Sequence, residues 1–399
     1  MENSNIKQVI LHPKKEESLK RFHPWVFSGA INKLPSGLIE GETVKVISHN
    51  GEFLGVGHYQ IGSIAVRILS FNDETIDADF YIKEVESAYK LRQKLNLIRD
   101  DNNIYRLIHG EGDHLPGLIV DMYGDVAVVQ SHSVGMDTDK DKIIKALQTV
   151  IGSDQLKHIY YKSEGTLPYK AEIESIDEYL IGGEDVNHIA IENGMKFNID
   201  WLRGQKTGFF VDQRDNRLLV ESYSKDKTVL NMFSYTGGFS VFALRGGAKE
   251  VYSVDSSSKA IALSNENIMN NFGEEPRHHS SSEDAFRFLR ESPKDKFDLI
   301  ILDPPAFAKH RGAVRNALQG YKRLNLSAFQ IIKPGSILFT FSCSQVITKE
   351  QFRLAVFSAA AISGRKVRIL HQLTQPSDHP VNIYHPEGEY LKGLVLYVE

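Results

Sequence analysis

Apolar residues change their period twice along the chain, and each change predicts a change of architecture. From Ile6 to about Phe71 they alternate with polar residues in short runs, Thr43 to Ile47, Phe53 to Tyr59 and Ile64 to Leu69, separated by Gly51, Gly55, Gly57 and Gly62. A two-residue period with glycine at the bends predicts short strands closing into a small β-barrel. Phe80, Val85, Ala88, Leu91 and Leu95 then recur at helical spacing, which predicts a helix over Asp77 to Leu97. Tyr105 to Ile108, Gly117 to Met122 and Val126 to Ser131 read as strands, and Lys140 to Ile151 as an amphipathic helix. From about Ile191 onward strands alternate with helices, the pattern of a parallel sheet covered on both faces. The expected fold is therefore α/β, with domain boundaries at 1–75, 76–190 and 191–399. A chain of 399 residues exceeds what one core usually serves, which agrees with several domains.

Composition narrows the classes. With 41% hydrophobic and 25% charged residues and no apolar run long enough to cross a bilayer, no membrane partner is expected. Met1 to Lys15 carries acids, amides and lysines without an apolar core or a small-residue cleavage site, so the expected location is the cytoplasm. A net charge of −4 argues against a uniformly basic coat for nucleic acid. A local basic face remains open, and Lys14, Lys15, Lys20, Arg21, Lys33 and Arg67 are its candidates. The single cysteine, Cys343, excludes an intrachain disulfide and a multi-cysteine metal site. His278 and His279 are adjacent on an expected strand and point to opposite faces, so no metal is expected there.

The C-terminal half carries the chemistry. Val229 to Phe233 is a short apolar strand, and Ser234-Tyr235-Thr236-Gly237-Gly238 turns from it into a helix from Val241 to Arg245. Gly237 and Gly238 let backbone approach a ligand, and the helix N-terminus favours a carboxylate. Val251 to Val254 forms the next strand, and Asp255 at its end is placed to accept hydrogen bonds from both hydroxyls of a ribose. His278 to Asp284 follows the next helix, where Asp284 is the candidate for an adenine amino group. Phe297 to Leu302 is a fourth strand that ends in Asp303-Pro304-Pro305. The first turn lacks the Gly-x-Gly-x-x-Gly that a dinucleotide enzyme needs. S-adenosyl-L-methionine fits better than NAD, and the half reads as a class I Rossmann-like methyltransferase domain.

Leu338 to Ser344 is a further buried-type strand whose last residues include Cys343, and sheet order should end it beside Asp303. A thiol next to an acid suits methylation of cytosine at C5. The thiolate adds to C6 so that C5 becomes nucleophilic, while the acid stabilises the N3 side of the ring. Cys343 and Asp303 are the catalytic candidates, with a buried apolar thiol and a turn-capping carboxylate as their plainer readings. Pro304 and Pro305 give a rigid extended wall for a flat base. The base must leave its stack, and Phe307 and Tyr235 are candidate stacking partners unless they are simply core.

These strings extend to a family resemblance. Arg21-Phe22-His23-Pro24-Trp25-Val26-Phe27, Gly41-Glu42-Thr43-Val44 and the glycine-spaced strands resemble a PUA domain, an RNA-binding module, over about 70 residues. The chain as a whole resembles the RlmI-type 23S rRNA cytosine-C5 methyltransferases, which combine a PUA β-barrel, a central α+β domain and a class I methyltransferase domain. The resemblance rests on Gly110 to Asp121, Lys206 to Arg217, Asn231 to Ser240, Asp303 to Phe307, Phe341 to Ser344, His379-Pro380 and Pro386 to Gly393. It implies Cys343 as nucleophile and Asp303 as the acid. It also implies the Gln213-Arg214 string near the cofactor, where Phe233, Tyr235, Gly237, Gly238, Asp255, Asp284 and Asp303 are the further candidates; Arg21, Trp25, Pro304, Pro305 and Phe307 are the candidates toward the RNA, which the resemblance implies is 23S rRNA. Wider RNA cytosine-C5 methyltransferases often carry a second cysteine after the Asp-x-Pro motif, where this chain has Ala306, so the base that removes the C5 proton is unassigned. Two other readings stay open: methylation of a guanine or adenine nitrogen on the same fold, and a ribosome-assembly factor that binds RNA without catalysis. A homodimer is also left open.

Overall fold

The computed structural model describes residues 6–168 and 175–399. They divide into two compact units: Met1–Ile191 with Ile199–Val211 and Ser377–Gly388, and Glu192–Asn198 with Asp212–Pro376 and Glu389–Glu399.

The first unit begins with six strands, β1 (Gln8–Leu11), β2 (Trp25–Phe27), β3 (Ile31–Lys33), β4 (Thr43–Ile47), β5 (Phe53–Tyr59) and β6 (Ile64–Ser70), and the short helix α1 (Glu17–Lys20). They form one sheet of order β2-β6-β5-β4-β1-β3. Val9, Val26, Val44, Val46, Leu54, Val66 and Ile68 from five of these strands meet in one cluster, so the sheet curls around its own core although β2 and β3 share no ladder. Arg67, a surface candidate in the sequence, is instead part-buried, and its guanidinium donates to Gln60 Oε1 at 2.9 Å. Its place in β6 opposite Trp25 takes it out of solvent.

Helix α2 (Ala78–Lys94) follows, capped by Asp77, whose side chain accepts from the Phe80 amide. Strands β7 (Ile104–His109), β8 (Leu118–Tyr123), β9 (Val126–Ser131), β10 (His158–Tyr161) and β11 (Glu178–Ile181) make a five-stranded sheet, with helices α3 (Val134–Thr138) and α4 (Lys140–Ile151) between β9 and β10. Val56 and Leu69 of the first sheet join Phe80, Tyr81, Val85, Leu107 and Val129 in a shared core, which makes 1–191 one unit.

Buried ion pairs tie the two later segments into this unit. The Arg92 guanidinium forks onto Asp113 at 2.5 and 2.7 Å and also donates to the Asp378 carbonyl at 2.8 Å. Arg106 forks onto Asp121, its amide donates to Asp378 Oδ2, and Thr207 donates to Asp121 at 2.6 Å. Every group in this network is paired, which removes the cost of burying charge alone. The Gly110–Asp113 turn faces Pro380 so closely that a Cβ on Gly112 would fall 1.9 Å from the Pro380 carbonyl oxygen. Two strings far apart in sequence, Gly110-Glu111-Gly112-Asp113 and Asp378-His379-Pro380, are thus one packing unit.

Strands β12 (Ile189–Glu192) and β13 (Met195–Asn198) form a hairpin where the chain passes between the units. The second unit continues with α5 (Arg214–Tyr223), β14 (Thr228–Met232), α6 (Gly238–Arg245), β15 (Glu250–Asp255), α7 (Ser258–Phe272), β16 (His278–Ser282), α8 (Ala285–Glu291), β17 (Phe297–Leu302), α9 (Val314–Ile331), β18 (Ile332–Ser342), α10 (Lys349–Ser363), β19 (Val367–Leu373) and β20 (Lys392–Val398). Their order is β16-β15-β14-β17-β18-β20-β19. β14 to β18 pair in parallel, and β20 runs antiparallel to both neighbours. The order reverses between β14 and β17, and ligands bind outside the strand ends at such a switch point. Among the described residues no helix is long and apolar enough to cross a membrane.

Gly112→Ala is expected to destabilise the protein by about 1–3 kcal/mol, because the added methyl meets backbone that cannot rotate away. Chemical denaturation of the full chain checks this; an unchanged midpoint would mean that the 110–113 turn and residue 380 do not pack as described.

Candidate active site

Three chain segments reach the C-terminal edge of the sheet at nearly one level. Met232 pairs with Leu302, and Leu302 with Thr340, so the residues after β14, β17 and β18 emerge together. The turn after β14 is sharp. Phe233, Tyr235 and Gly237 all have positive φ, and Gly237, the N-cap of α6, has no room for a side chain, since a Cβ there would sit 2.2 Å from Ser264 Oγ. α6 starts at Gly238, three residues earlier than its apolar rhythm predicts, because Gly238 and Ser240 are buried with its apolar face. Beneath the turn, Asn231 donates to Ser240, which pairs with Ser253, and Ser253 meets His278 Nε2 at 2.8 Å. His278 is therefore part of this support.

Asp255 ends β15 with both oxygens engaged by backbone: Oδ2 accepts from the Tyr235 amide at 3.0 Å and Oδ1 from the Ser257 amide at 2.9 Å. Each oxygen keeps a further lone pair. Asp284 caps α8 by accepting from the Arg287 amide, and its side chain is exposed.

Asp303 follows β17 directly. Burial is the largest influence on it and Asp212 the next; together they push its carboxyl from 3.8 up to about 7, against a hydrogen bond from Gln213 and the charge of Arg217. Gln213 is 3% exposed and also accepts from Asn216. Arg217 is committed to a buried fork on Glu192, at 2.6 and 2.7 Å. Asp212 accepts from the Tyr390 hydroxyl through Oδ2, while its Oδ1 is buried without a partner.

Cys343 stands one residue beyond β18, half-buried, with Sγ 3.9 Å from the Pro304 carbonyl oxygen. Burial first, then the charges of Asp303 and Asp212, push its thiol up to about 12. Its position is set by its neighbours. Ser342 donates to the Tyr321 hydroxyl at 3.0 Å, Ser344 pairs with the same hydroxyl, and the Ala308 amide donates to Ser344 Oγ. Lys392, buried opposite Ser342 in the β18–β20 ladder, donates to the carbonyls of Ser344 and Ile347 at 2.6 and 2.8 Å. Burial brings this ammonium down to about 8, and its charge acts on Cys343 against the acids.

The sequence candidates divide accordingly. Phe233, Tyr235, Gly237, Gly238, Asp255, Asp303, Pro304 and Cys343 lie on or beside the ends of neighbouring strands of one sheet, and Gln213, just before α5, reaches them through its hydrogen bond to Asp303. Phe307 packs its ring on Tyr321, with centroids 4.6 Å apart, and joins the hydrophobic core. Arg21 and Trp25 belong to the other unit. Arg21 is exposed after α1, whereas the Trp25 indole N–H is used on Glu111 at 2.8 Å and its ring packs on His385. Asp212, Arg217, Tyr321 and Lys392 were not singled out from the sequence, and only the serines flanking Cys343 hinted at the fastening around it.

Comparisons with known proteins agree on class. A PUA-like domain model matches residues 9–71, and a model of S-adenosylmethionine-dependent methyltransferases matches residues 106–383. Relatives named ribosomal RNA large subunit methyltransferase I include one from Alteromonas mediterranea, 40% identical over 395 residues and covering 98% of both chains. Another, from Klebsiella pneumoniae, is 38% identical over 403 residues and covers 100% of both. Among solved structures, a Streptococcus mutans chain named as a SAM-dependent methyltransferase is 24% identical, covers 98% of this chain and 100% of its own, and superposes with a TM-score of 0.83. A methyltransferase complexed with SAH reaches 0.84 at the same identity and coverage. These two show the shared fold.

Because the folded protein disfavours the Asp303 anion, ionisation costs stability as pH rises from about 4 to about 7, and the cost is constant above that. Asp303→Asn is therefore expected to stabilise the protein by roughly 2–4 kcal/mol at pH 8 and by nothing near pH 4. Denaturant melts at the two pH values check this; an equal effect at both would remove the raised acid from the site.

Proposed function

The chain belongs to the S-adenosylmethionine-dependent methyltransferases named ribosomal RNA large subunit methyltransferase I, and on that premise we propose that it forms 5-methylcytosine in 23S rRNA through a Cys343 adduct. One observation carries the chemistry: the only thiol in the chain and a carboxyl held near neutrality end neighbouring parallel strands.

The cofactor suits the edge between β14 and β15. Asp212 Oδ1 and Ser234 Oγ are buried acceptors without partners, and Asp255 has lone pairs to spare. Such acceptors fit a ligand that brings ribose hydroxyls, an ammonium group and a positive sulfur. Asp255 would hold the ribose, and the backbone amides at the start of α6 would face the amino-acid portion. Asp284, exposed beyond its cap, keeps one oxygen for the adenine side. When bound, S-adenosylmethionine supplies an electrophilic methyl group.

Cytosine C5 is too poor a nucleophile to take that methyl unaided. Cys343 Sγ forms a bond to C6 as a thiolate, and the displaced ring electrons collect toward N3, where Asp303 delivers a proton. C5 is now an enamine carbon and takes the methyl. Loss of the C5 proton to a base reforms the C5–C6 double bond, the C6–S electrons return to Cys343, and the N3 proton returns to Asp303. Pro304 and Pro305 supply a stiff wall beside the reacting ring.

The two groups must exchange one proton before attack. With the thiol near 12 and the carboxyl near 7, the pair loses its first proton around pH 7, and the form that remains is Asp303 carboxylate with Cys343 thiol. Moving the proton from sulfur to carboxyl creates the nucleophile and the acid together. Below pH 7 neither site has a vacancy to receive it. Single-turnover methylation is therefore expected to rise with pH through about 7 and stop rising by about 8, where Lys392 gives up its charge. Asp303→Asn should lower the rate at least about 100-fold and erase the inflection. A rate independent of pH from 6 to 8 in the wild type would sink the shared-proton scheme.

Cys343→Ala is expected to abolish methyl transfer while binding S-adenosylmethionine normally by calorimetry. RNA containing 5-fluorocytosine should trap the wild-type protein covalently, because fluorine at C5 cannot leave as a proton. Near-normal turnover of the alanine variant would move the methyl to a ring or exocyclic nitrogen. Absence of cofactor binding at millimolar concentration would leave only an RNA-binding role for the PUA-like domain and its partner fold.

A further inference from the structure

The first unit brings together two histidines and a glutamate separated by more than three hundred residues of chain. His23 lies just before β2, and His385 and Glu387 lie in the 377–388 segment of the same unit. One donor atom from each falls within 4.8 Å of the others, with His23 Nε2 3.5 Å and His385 Nε2 3.8 Å from Glu387 Oε2. Those separations are too long for hydrogen bonds of ordinary length, and they are close to the spacing of about 3.3 Å that tetrahedral bonds of about 2.0 Å impose on neighbouring ligands. His385 supplies an independent observation. Its residue is 2% exposed, yet neither ring nitrogen has a hydrogen-bond partner. A buried imidazole is normally satisfied, and this one points a nitrogen at the cluster.

We propose that His23, His385 and Glu387 bind one zinc-class divalent cation. Two imidazoles and a carboxylate are nitrogen and oxygen donors of intermediate softness, which suit zinc better than magnesium or calcium; His23 Nδ1 accepts from the Trp25 amide at 3.2 Å, a bond given up when the ring proton moves to Nδ1 and Nε2 takes the metal. Trp25 packs against His385 at 4.3 Å and donates to Glu111, so the ligand is oriented by a fixed wall. The Asn382 side chain donates to the Glu111 carbonyl and holds the incoming segment in register. Bound there, the cation would cross-link the first sheet to a loop contributed from near the C-terminus, and three protein ligands leave a position for water.

The test uses untagged full-length protein stripped with chelator and titrated with zinc alone. Competition calorimetry should return one ion per chain, and X-ray absorption should show a shell of nitrogen and oxygen near about 2.0 Å with imidazole scattering. His23→Gln, at a partly exposed position, and His385→Gln should each weaken binding about 100-fold or more, whereas Cys343→Ser should leave it unchanged. The absorption spectrum of the wild type stands even where a variant folds poorly. A sulfur neighbour at about 2.3 Å, unaltered affinity in both glutamine variants, or no stoichiometric binding would overturn the proposal.

Discussion

The parallel register of β14, β17 and β18 governs the chemistry, because strands buried on both faces must begin at one side of the sheet and deliver their following residues at the other. Met232, Leu302 and Thr340 occupy one level, so a glycine turn, a carboxyl and a thiol from three distant parts of the chain arrive within a few residues of the same edge. A slip of one residue in either ladder would reverse every side chain it carries. The long apolar strands forbid that slip: Thr228–Met232 is buried throughout, and Leu299 to Leu302 likewise. Stability and site geometry are therefore one constraint here, expressed through hydrophobic burial.

What gathers at that edge is mostly acidic. Asp212, Asp303 and the Cys343 proton share a poorly solvated space, while the nearest guanidinium, Arg217, is already matched by Glu192. The uncompensated charge is held down by keeping the proton on Cys343 and by raising the pH at which Asp303 gives up its own. The same imbalance gives a cationic ligand a reason to bind and lowers the cost of the thiolate once it has done so. A site built with more arginine would hold Asp303 as a weaker base, less able to take a proton from the neighbouring thiol.

Sequence reasoning reached the residues whose meaning is local. Asp255 ends a strand and Gly237, Gly238, Asp303 and Cys343 follow one, and strand ends are readable from apolar runs and the turn chemistry after them. It missed Lys392 and Tyr321, because what matters about them is a partner dozens of residues away: the carbonyls of Ser344 and Ile347, and the hydroxyls of Ser342 and Ser344. Arg67 and Trp25 illustrate the opposite error. Each looked available to RNA by residue type, but strand pairing and Glu111 or Gln60 had claimed the polar ends. The segments 199–211 and 377–388 escaped for a topological reason. A linear pattern assigns a stretch to the domain around it, whereas hydrogen bonds from Arg92 and the Arg106 amide to Asp378, and from Thr207 to Asp121, place these with the first unit.

The serines on either side of Cys343 show how a short motif can encode geometry. A free thiol at a strand end has rotational freedom and weak hydrogen bonding, so its own contacts cannot aim it. Ser342 and Ser344 have side chains short enough to reach the single Tyr321 hydroxyl from both sides, and this closes the backbone around the cysteine without filling the space before it. Lys392 completes the fastening through two carbonyls and places a positive charge behind the same turn. Bulkier neighbours would crowd the thiol, and apolar ones would leave the turn loose. The thiol is thus held in place by its neighbours, and the energy for holding it comes from hydrogen bonds formed when the protein folds.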